Sequence, residues 1–131
     1  MPISVNWAND QHNVMLTVFD GKWDLADFYG MVAEGRELLK DVNYPFVTIV
    51  DYSTSLTPPR KTLSVGRHVE RVHNPHRLKV IWVKPGMLIE QLYNALSKIY
   101  PEGFGDSVTV NTLDEAYALA NKLLGEAEST G

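Results

Sequence analysis

The segment FVTIVD, residues 46–51, decides the fold of this chain. It is short, rich in β-branched residues and preceded by the turn signal Asn43-Tyr44-Pro45, so it predicts a buried strand. A second segment of the same character, LKVIWV, occupies residues 78–83, and a helical pattern separates the two. Because strands that alternate with helices pair in parallel through right-handed crossovers, these segments predict an α/β fold.

The rest of the chain extends this pattern on both sides. Residues 3–8 and 13–19 alternate apolar and polar side chains around a turn-rich linker, which predicts an antiparallel hairpin at one edge of the sheet. A short last strand is predicted at residues 107–111. Helices are predicted after Asp24, over about 60–73, over 87–100, and after Thr112, where a Thr-x-x-Glu capping box begins the final helix. The predicted order is β-β-α-β-α-β-α-β-α in a mostly parallel sheet with one antiparallel edge strand.

Length and composition limit the domain organisation. The chain has 131 residues, 44% of them hydrophobic, which suits one α/β domain over residues 1–124 and a loose tail over 125–131. The absence of cysteine leaves the reducing cytoplasm as the expected location. The N-terminus does not have the pattern of a signal peptide, and no apolar run has the length of a membrane span, so no membrane association is expected.

Charge is distributed unevenly along the chain. The net charge is −4, yet residues 60–84 contain seven basic residues and one acidic residue, Glu70. An acidic body with one basic segment predicts a local surface for anions, and an acidic protein is the expected partner. Nucleic acid is not expected, because a domain that binds it is usually basic overall and no aromatic ladder accompanies the basic residues.

Several motifs resemble those of a known family. These are Gly21-x-Trp23-Asp24 with Phe28, the segment Val50-Asp51-Tyr52-Ser53, and the segment Thr112-Leu113-Asp114-Glu115-Ala116. Together they resemble the small bacterial STAS-like proteins, which are similar in fold to the anti-sigma factor antagonists and are therefore SpoIIAA-like. The resemblance covers residues 3–124. It implies a regulatory or protein-interaction module without enzymatic activity.

The chain departs from the phosphorylated members of that family at one position. In those proteins a D-x-S element is followed by a helix start with the sequence D-S-S-G, which carries the phosphorylated serine. Here Asp51-Tyr52-Ser53 matches the first element, but the following stretch, residues 57–61, reads TPPRK. The family's switch serine is therefore missing.

The loop after the central strand is the first candidate site. A loop at the carboxyl end of a parallel strand, before a helix N-terminus, can offer hydrogen-bond donors to an anion or a partner. In the alternative interpretation, the loop is a polar turn whose side chains cap backbone groups. The candidate ligand- or partner-binding residues are Asp51, Ser53, Thr54, Ser55 and Arg60.

The helix that follows contributes further candidates. Arg60, Arg67 and Arg71 are spaced by seven and four residues, which places their guanidinium groups along one helix face suited to carboxylates or phosphates. A face that only meets water is the alternative. We expect the loop at residues 53–59 and this basic helix face to form the working surface of the protein.

The helix over residues 87–100 has more apolar positions than one stripe requires. The excess suits a deep core, a homodimer face or the wall of an apolar pocket. Trp82 and Met87 are the candidate residues for a pocket wall. The alternative function is therefore a carrier or sensor of a small acidic or lipid-like ligand, bound between the loop and this helix.

Catalytic, cofactor and metal motifs are not found in the sequence. His68 and His73 are five residues apart, which does not fit two ligands on one helix face, and Pro75 separates His73 from His76. Asp51, Ser53 and a distant histidine do not amount to a triad signature. We therefore expect no metal, no cofactor and no enzymatic activity.

Overall fold

A computed structural model of the protein describes residues 2–55, 62–72 and 74–130. Within these ranges the chain forms five strands and five helices. They are β1 (Ile3–Trp7), β2 (Val14–Asp20), α1 (Leu25–Leu39), β3 (Phe46–Thr54), α2 (Thr62–Val72), β4 (Arg77–Val83), α3 (Gly86–Ile99), α4 (Pro101–Phe104), β5 (Ser107–Val110) and α5 (Leu113–Thr130).

The strands form one sheet in the order β1-β2-β3-β4-β5. β1 and β2 pair antiparallel, and the remaining pairs are parallel. The predicted α/β fold with one antiparallel edge is confirmed. The structure adds α4, because Pro101 ends α3 and also suits the first position of a new helical turn.

The order of the strands explains how the helices are distributed. Each parallel crossover advances by one strand in the same direction, so right-handed connections place α1, α2 and α3 on the same face of the sheet. The other face packs against α5, where the fully buried Ala116 and Ala120 bring the helix close to Val47, Ile49 and Ile81. Side chains alternate between these faces along each strand.

One row of paired residues crosses the whole sheet on the face that α1, α2 and α3 cover. Val5 pairs with Thr17, Thr17 with Val50, Val50 with Trp82, and Trp82 with Thr109. The first four of these residues line the cavity described below. The register therefore determines which side chains of β1–β4 face this cavity.

The predicted helix caps are present. The Asp24 carboxylate accepts from the Asp27 N–H at 2.9 Å, and the Asp27 carboxylate accepts from the Asp24 N–H at 3.0 Å, which makes a capping box on α1. At α5 the Thr112 hydroxyl accepts from the Glu115 N–H at 3.0 Å, while the Glu115 carboxylate accepts from the N–H of Asn111, at 3.3 Å. In this second capping box, the glutamate side chain therefore bonds to the residue before the N-cap, Asn111, and not to Thr112 itself.

The end of the chain corrects one prediction. α5 continues through Gly125 to Thr130, whereas the sequence predicts a loose tail from residue 125. Glycine lowers helix stability without excluding it, and the residues around Gly125 are good helix formers such as Leu124 and Ala127.

Candidate functional site

The structure extends β3 to Thr54, beyond the predicted end at residue 51, so Asp51, Ser53 and Thr54 lie in that strand and Ser55 follows it. Their polar side chains bond mainly within the fold. One carboxylate oxygen of Asp51 accepts from the Ser53 N–H at 3.0 Å and from the Ser53 hydroxyl at 2.6 Å. The hydroxyl of Thr54 donates to the Phe19 carbonyl at 3.2 Å. The hydroxyl of Ser55, a residue that is 2% exposed, donates to a backbone carbonyl of the β2–α1 connection at 2.7 Å. This geometry fits the polar-turn interpretation of the loop.

The predicted basic face is present in part. Arg67 and Arg71 are exposed and lie one turn apart on α2, while Arg60 and the rest of residues 56–61 lie outside the described residues. Arg36 of α1 is also exposed. Partial burial lowers the pKa of His68, and the charges of Arg71 and Arg36 lower this pKa further. Arginines from two helices therefore act on one imidazole, and we call Arg36, Arg67 and Arg71 the basic surface.

A cavity of about 200 Å³ lies between the sheet and helices α1–α4. Its lining is mostly aliphatic and aromatic. Strands contribute Phe19, Val50 and Tyr52, while helices contribute Phe28, Val65 and Leu96, among others. α3 forms one wall of this cavity, as predicted, and the sheet and α1 form others. Of the predicted loop, residues 53–55 do not line the cavity, and residues 56–59 lie outside the described residues.

The two residues predicted for the pocket wall differ in position. Trp82 lines the cavity, and its indole stacks on the Tyr93 ring with centroids 5.1 Å apart. Met87 is 76% exposed and lies outside the cavity, so its assignment to the wall is wrong. The inward stripe of α3 begins with Ile89, and the first turn of the helix, including Leu88, faces solvent.

An aromatic cluster forms the part of the cavity near the start of α1. The Trp23 indole N–H donates to the Tyr52 hydroxyl at 2.9 Å. Phe19 packs against both rings, with centroids 5.3 Å from Trp23 and 4.9 Å from Tyr52. Burial raises the pKa of Tyr52, so its hydroxyl stays neutral at physiological pH. The polar atoms of this cluster are paired with each other.

The polar atoms beside β4 and β5 are different. Neither Trp82 Nε1 nor Ser107 Oγ has a hydrogen-bond partner among the described residues, although both atoms are buried and both residues line the cavity. Next to them, the Tyr93 hydroxyl and the Thr109 hydroxyl are hydrogen-bonded to each other. Burial raises the pKa of Tyr93, which keeps this hydroxyl protonated. Two residues of the cavity lining thus carry a buried polar atom that has no partner in the part of the chain that the structure describes.

An arginine at the cavity is already paired. The Arg77 guanidinium bonds both carboxylate oxygens of Asp106, at 2.9 and 3.1 Å, and donates to the Gly103 carbonyl at 3.0 Å. Arg36 also lines the cavity but is exposed, so it lies where the cavity meets solvent. Of these two cations, Arg36 is the one placed to meet the acidic group of a bound molecule.

Most of the residues that line the cavity are not among those predicted from the sequence. Ser107 and Thr109 alternate with Val108 and Val110, a pattern that normally places the polar residues toward solvent. Here the valines face α5, and the two polar residues share the face of Trp82. The available signal was the pairing register, because residues paired with Val80 and Trp82 share their face of the sheet; there Ser107 lines the cavity, whereas Thr109 is exposed.

Metal and membrane features are absent from the described ranges. No group of three or more His, Asp or Glu side chains there is close enough to hold a metal ion. His68 instead packs edge-on against Tyr29, with ring centroids 4.8 Å apart, and His73 lies outside the described residues. In the same ranges no helix has the length and apolar character needed to cross a membrane.

Comparisons with known proteins bear on the fold. No family model matches the chain, and no curated protein matches its sequence. Among solved structures, the chain is similar to an uncharacterized protein from the DUF3478 family of Shewanella loihica PV-4, which has a SpoIIAA-like fold. The TM-score is 0.68 at 14% identity, and the match covers 90% of this chain and 93% of that one. The chain has the SpoIIAA-like fold that its motifs predict.

Proposed function

We propose that this protein is a STAS-type binding module without catalytic activity, and that it carries or senses a small, largely apolar ligand in the cavity. The observation that carries this proposal is the cavity itself, about 200 Å³ of mostly apolar space inside a domain of 131 residues. Close packing normally leaves few voids larger than a water molecule, and an empty void of this size lowers the free energy of unfolding. A ligand that fills the void offsets that loss. The SpoIIAA-like fold supports the first part of this proposal, that the protein is a STAS-type module.

The volume indicates the size of the ligand. An apolar cavity of about 150 Å³ accommodates benzene, which corresponds to about 25 Å³ for each non-hydrogen atom. On that scale, the cavity of about 200 Å³ holds about eight non-hydrogen atoms. A larger ligand would extend past Arg36 into solvent, where a carboxylate would meet the guanidinium group. This gives the acidic or lipid-like ligand a defined orientation.

A titration with 2-heptanone, which has eight non-hydrogen atoms, tests the proposal. We expect saturable shifts of the cavity methyl groups of Val50, Val65 and Leu96 in ¹H–¹³C spectra. In a Gly35→Leu variant these shifts should disappear, because Gly35 lines the cavity and has open space where a side chain would start. Gly30→Ala, on the exposed side of the same helix, is the control and should bind as the wild type does. Binding that persists in Gly35→Leu would contradict the proposal.

The basic surface supports a second candidate function, docking of an acidic protein partner. Arg67 and Arg71 are exposed on α2 and close enough to Arg36 that two of the three charges act on one histidine. Such a surface suits carboxylates more than nucleic acid in a chain of net charge −4. The cavity lies beneath the same helices, so ligand binding and partner docking could be combined in one regulatory protein.

A charge-reversal experiment tests the second candidate. Arg67→Glu with Arg71→Glu should weaken binding to a decaglutamate peptide at least tenfold and leave the melting temperature nearly unchanged. The control reverses two exposed lysines on other helices, Lys98→Glu with Lys122→Glu, and therefore changes the net charge equally. Equal losses in the two double variants would mean that net charge, rather than this surface, attracts the peptide, and would reject the docking site.

A further inference from the structure

Two residues that line the cavity each carry a buried polar atom without a partner in residues 2–55, 62–72 and 74–130. They are Trp82 Nε1 and Ser107 Oγ, neither of which has a hydrogen-bond partner among the residues that the structure describes. Buried polar groups in proteins are almost always paired, and each exception requires an explanation. The other indole at the cavity, that of Trp23, is paired with the Tyr52 hydroxyl. The unpaired indole is therefore particular to the β4–β5 side of the cavity.

The register places the two unpaired atoms on the same face. Ser107 pairs with Val80, and Trp82, two residues further along β4, pairs with Thr109. Side chains two residues apart on a strand share a face, so Trp82 and Ser107 both face the helices α1–α3. Both residues line the same cavity. Each of the two atoms has less than 1 Å² of accessible surface, so a molecule in that cavity reaches them when the side chains that cover them move aside.

The Trp82 ring is held in position by its surroundings. Its indole stacks on Tyr93 with 20° between the ring planes. The hydroxyl of Tyr93 is in turn hydrogen-bonded to Thr109, which is the residue that pairs with Trp82. The indole N–H is thus a donor of fixed orientation, and a fixed donor loses little freedom when it binds an acceptor.

We propose that the ligand carries a carbonyl oxygen within its apolar body, and that Trp82 and Ser107 select it by hydrogen bonding. This inference rests on the proposed function of the cavity. An indole N–H can only donate, so its partner must be an acceptor, and a hydroxyl can donate to the same oxygen. A site with a buried unpaired donor discriminates against molecules that lack the matching acceptor. The site therefore favours a ketone- or ester-like molecule over a hydrocarbon of the same shape.

Two probes of equal size separate the hydrogen bond from apolar contact. They are 2-heptanone and 2-methyl-1-heptene, in which a CH₂ group replaces the carbonyl oxygen. Each has eight non-hydrogen atoms, which matches a cavity of about 200 Å³ at about 25 Å³ per atom. The two probes differ in their affinity for water, so their affinities for the wild type are not compared directly. The informative quantity is how much the same substitution weakens the binding of each probe.

The variant Trp82→Phe removes the donor and keeps an aromatic ring on Tyr93. We expect it to weaken the binding of 2-heptanone about tenfold and the binding of 2-methyl-1-heptene less than twofold. Ser107→Ala should also weaken the binding of the ketone selectively, and it changes the packing less than Trp82→Phe does. The matched control is Trp23→Phe, which removes an indole N–H that is already paired and should affect the two probes equally.

Spectra of the wild-type protein test the same hydrogen bond and do not depend on whether a variant folds. In ¹⁵N spectra of the three tryptophan indoles, the ketone should move the Trp82 N–H signal downfield, and the alkene should not. If Trp82→Phe weakens both probes equally or neither, and the Trp82 indole signal does not respond to the ketone, the carbonyl subsite is rejected while the binding cavity stands. If neither probe shifts the cavity methyl groups, the proposed function fails and this inference fails with it.

Discussion

Filling the cavity from helix α1 should stabilise the protein, and Gly35 is the position from which to do it. Gly35 lies within α1, is buried and lines the cavity. A Cβ atom built there meets nothing within 4 Å outside its own helix backbone and chain neighbours. Gly35→Ala therefore adds a methyl group to open apolar space without displacing any neighbour.

Two contributions set the expected gain in the free energy of unfolding for Gly35→Ala. Replacing glycine by alanine inside a helix stabilises it by about 1 kcal/mol. Burying one more methyl group adds about 0.8 kcal/mol. Gly30→Ala, at an exposed position of the same helix that is also open, receives only the first contribution. We expect gains in the free energy of unfolding of about 1.8 kcal/mol for Gly35→Ala and about 1 kcal/mol for Gly30→Ala.

Urea unfolding followed by circular dichroism measures both values, and calorimetry provides a second reading. For a chain of 131 residues these gains correspond to increases in Tm of about 6 °C and about 4 °C. The difference between the two variants is the quantity attributable to the cavity. If Gly35→Ala gains no more than Gly30→Ala, or loses stability, the space beside Gly35 is not an open apolar cavity and the reasoning is refuted.

Three further substitutions or conditions test other parts of the structure. Gly66→Ala should give a free energy of unfolding about 1–3 kcal/mol lower than Gly30→Ala does in urea unfolding, because both substitutions favour a helix but the Cβ at residue 66 would lie 2.7 Å from the Tyr100 ring; an equal gain in the two variants would show that this contact is wrong. Thr112→Ala should cost about 1 kcal/mol in the same assay through loss of the bond to the Glu115 N–H, and an unchanged midpoint would reject the cap. His68 has a lowered pKa in the folded state, so the unfolded chain binds more protons; stability should fall as the pH drops below about 6.5. His68→Gln should flatten that part of the pH profile, and an identical slope in the variant would contradict the assignment.

Local patterns were sufficient to predict most of the architecture. The β-branched segments at residues 46–51 and 78–83, separated by a helical period, gave the parallel sheet, and Asp24 and Thr112 gave the starts of two helices. These features depend on neighbouring residues along the chain. The final helix was predicted too short because a single glycine at residue 125 does not end a helix whose other residues favour it.

The cavity was harder to predict because it depends on contacts between distant segments. Trp82, on a buried strand, lines the cavity, whereas Met87 is exposed, because the inward-facing residues of α3 begin with Ile89. Ser107 was missed because polar residues that alternate with valines normally face solvent. Only the pairing of β5 with β4 shows that it faces the cavity.

The polar residues near Asp51 show what residue type leaves undetermined. Ser and Thr near Asp51 were predicted as ligand donors from residue type and position, yet the hydroxyls of Thr54 and Ser55 donate to backbone carbonyls of β2 and the β2–α1 connection. Residue type indicates which groups can donate a hydrogen bond. Which acceptor they use depends on the strand that lies beside them in the fold.

Native mass spectrometry of gently purified protein tests the central claim most directly. The wild type and Gly30→Ala should show a reproducible mass excess that corresponds to a small molecule and disappears on denaturation, and the released molecule should contain a carbonyl group. Gly35→Leu, whose four added side-chain carbons would occupy roughly half of the cavity at about 25 Å³ each, should show the bare mass. A bare mass for all three proteins, or the same excess in Gly35→Leu, would contradict the claim that this cavity holds a ligand.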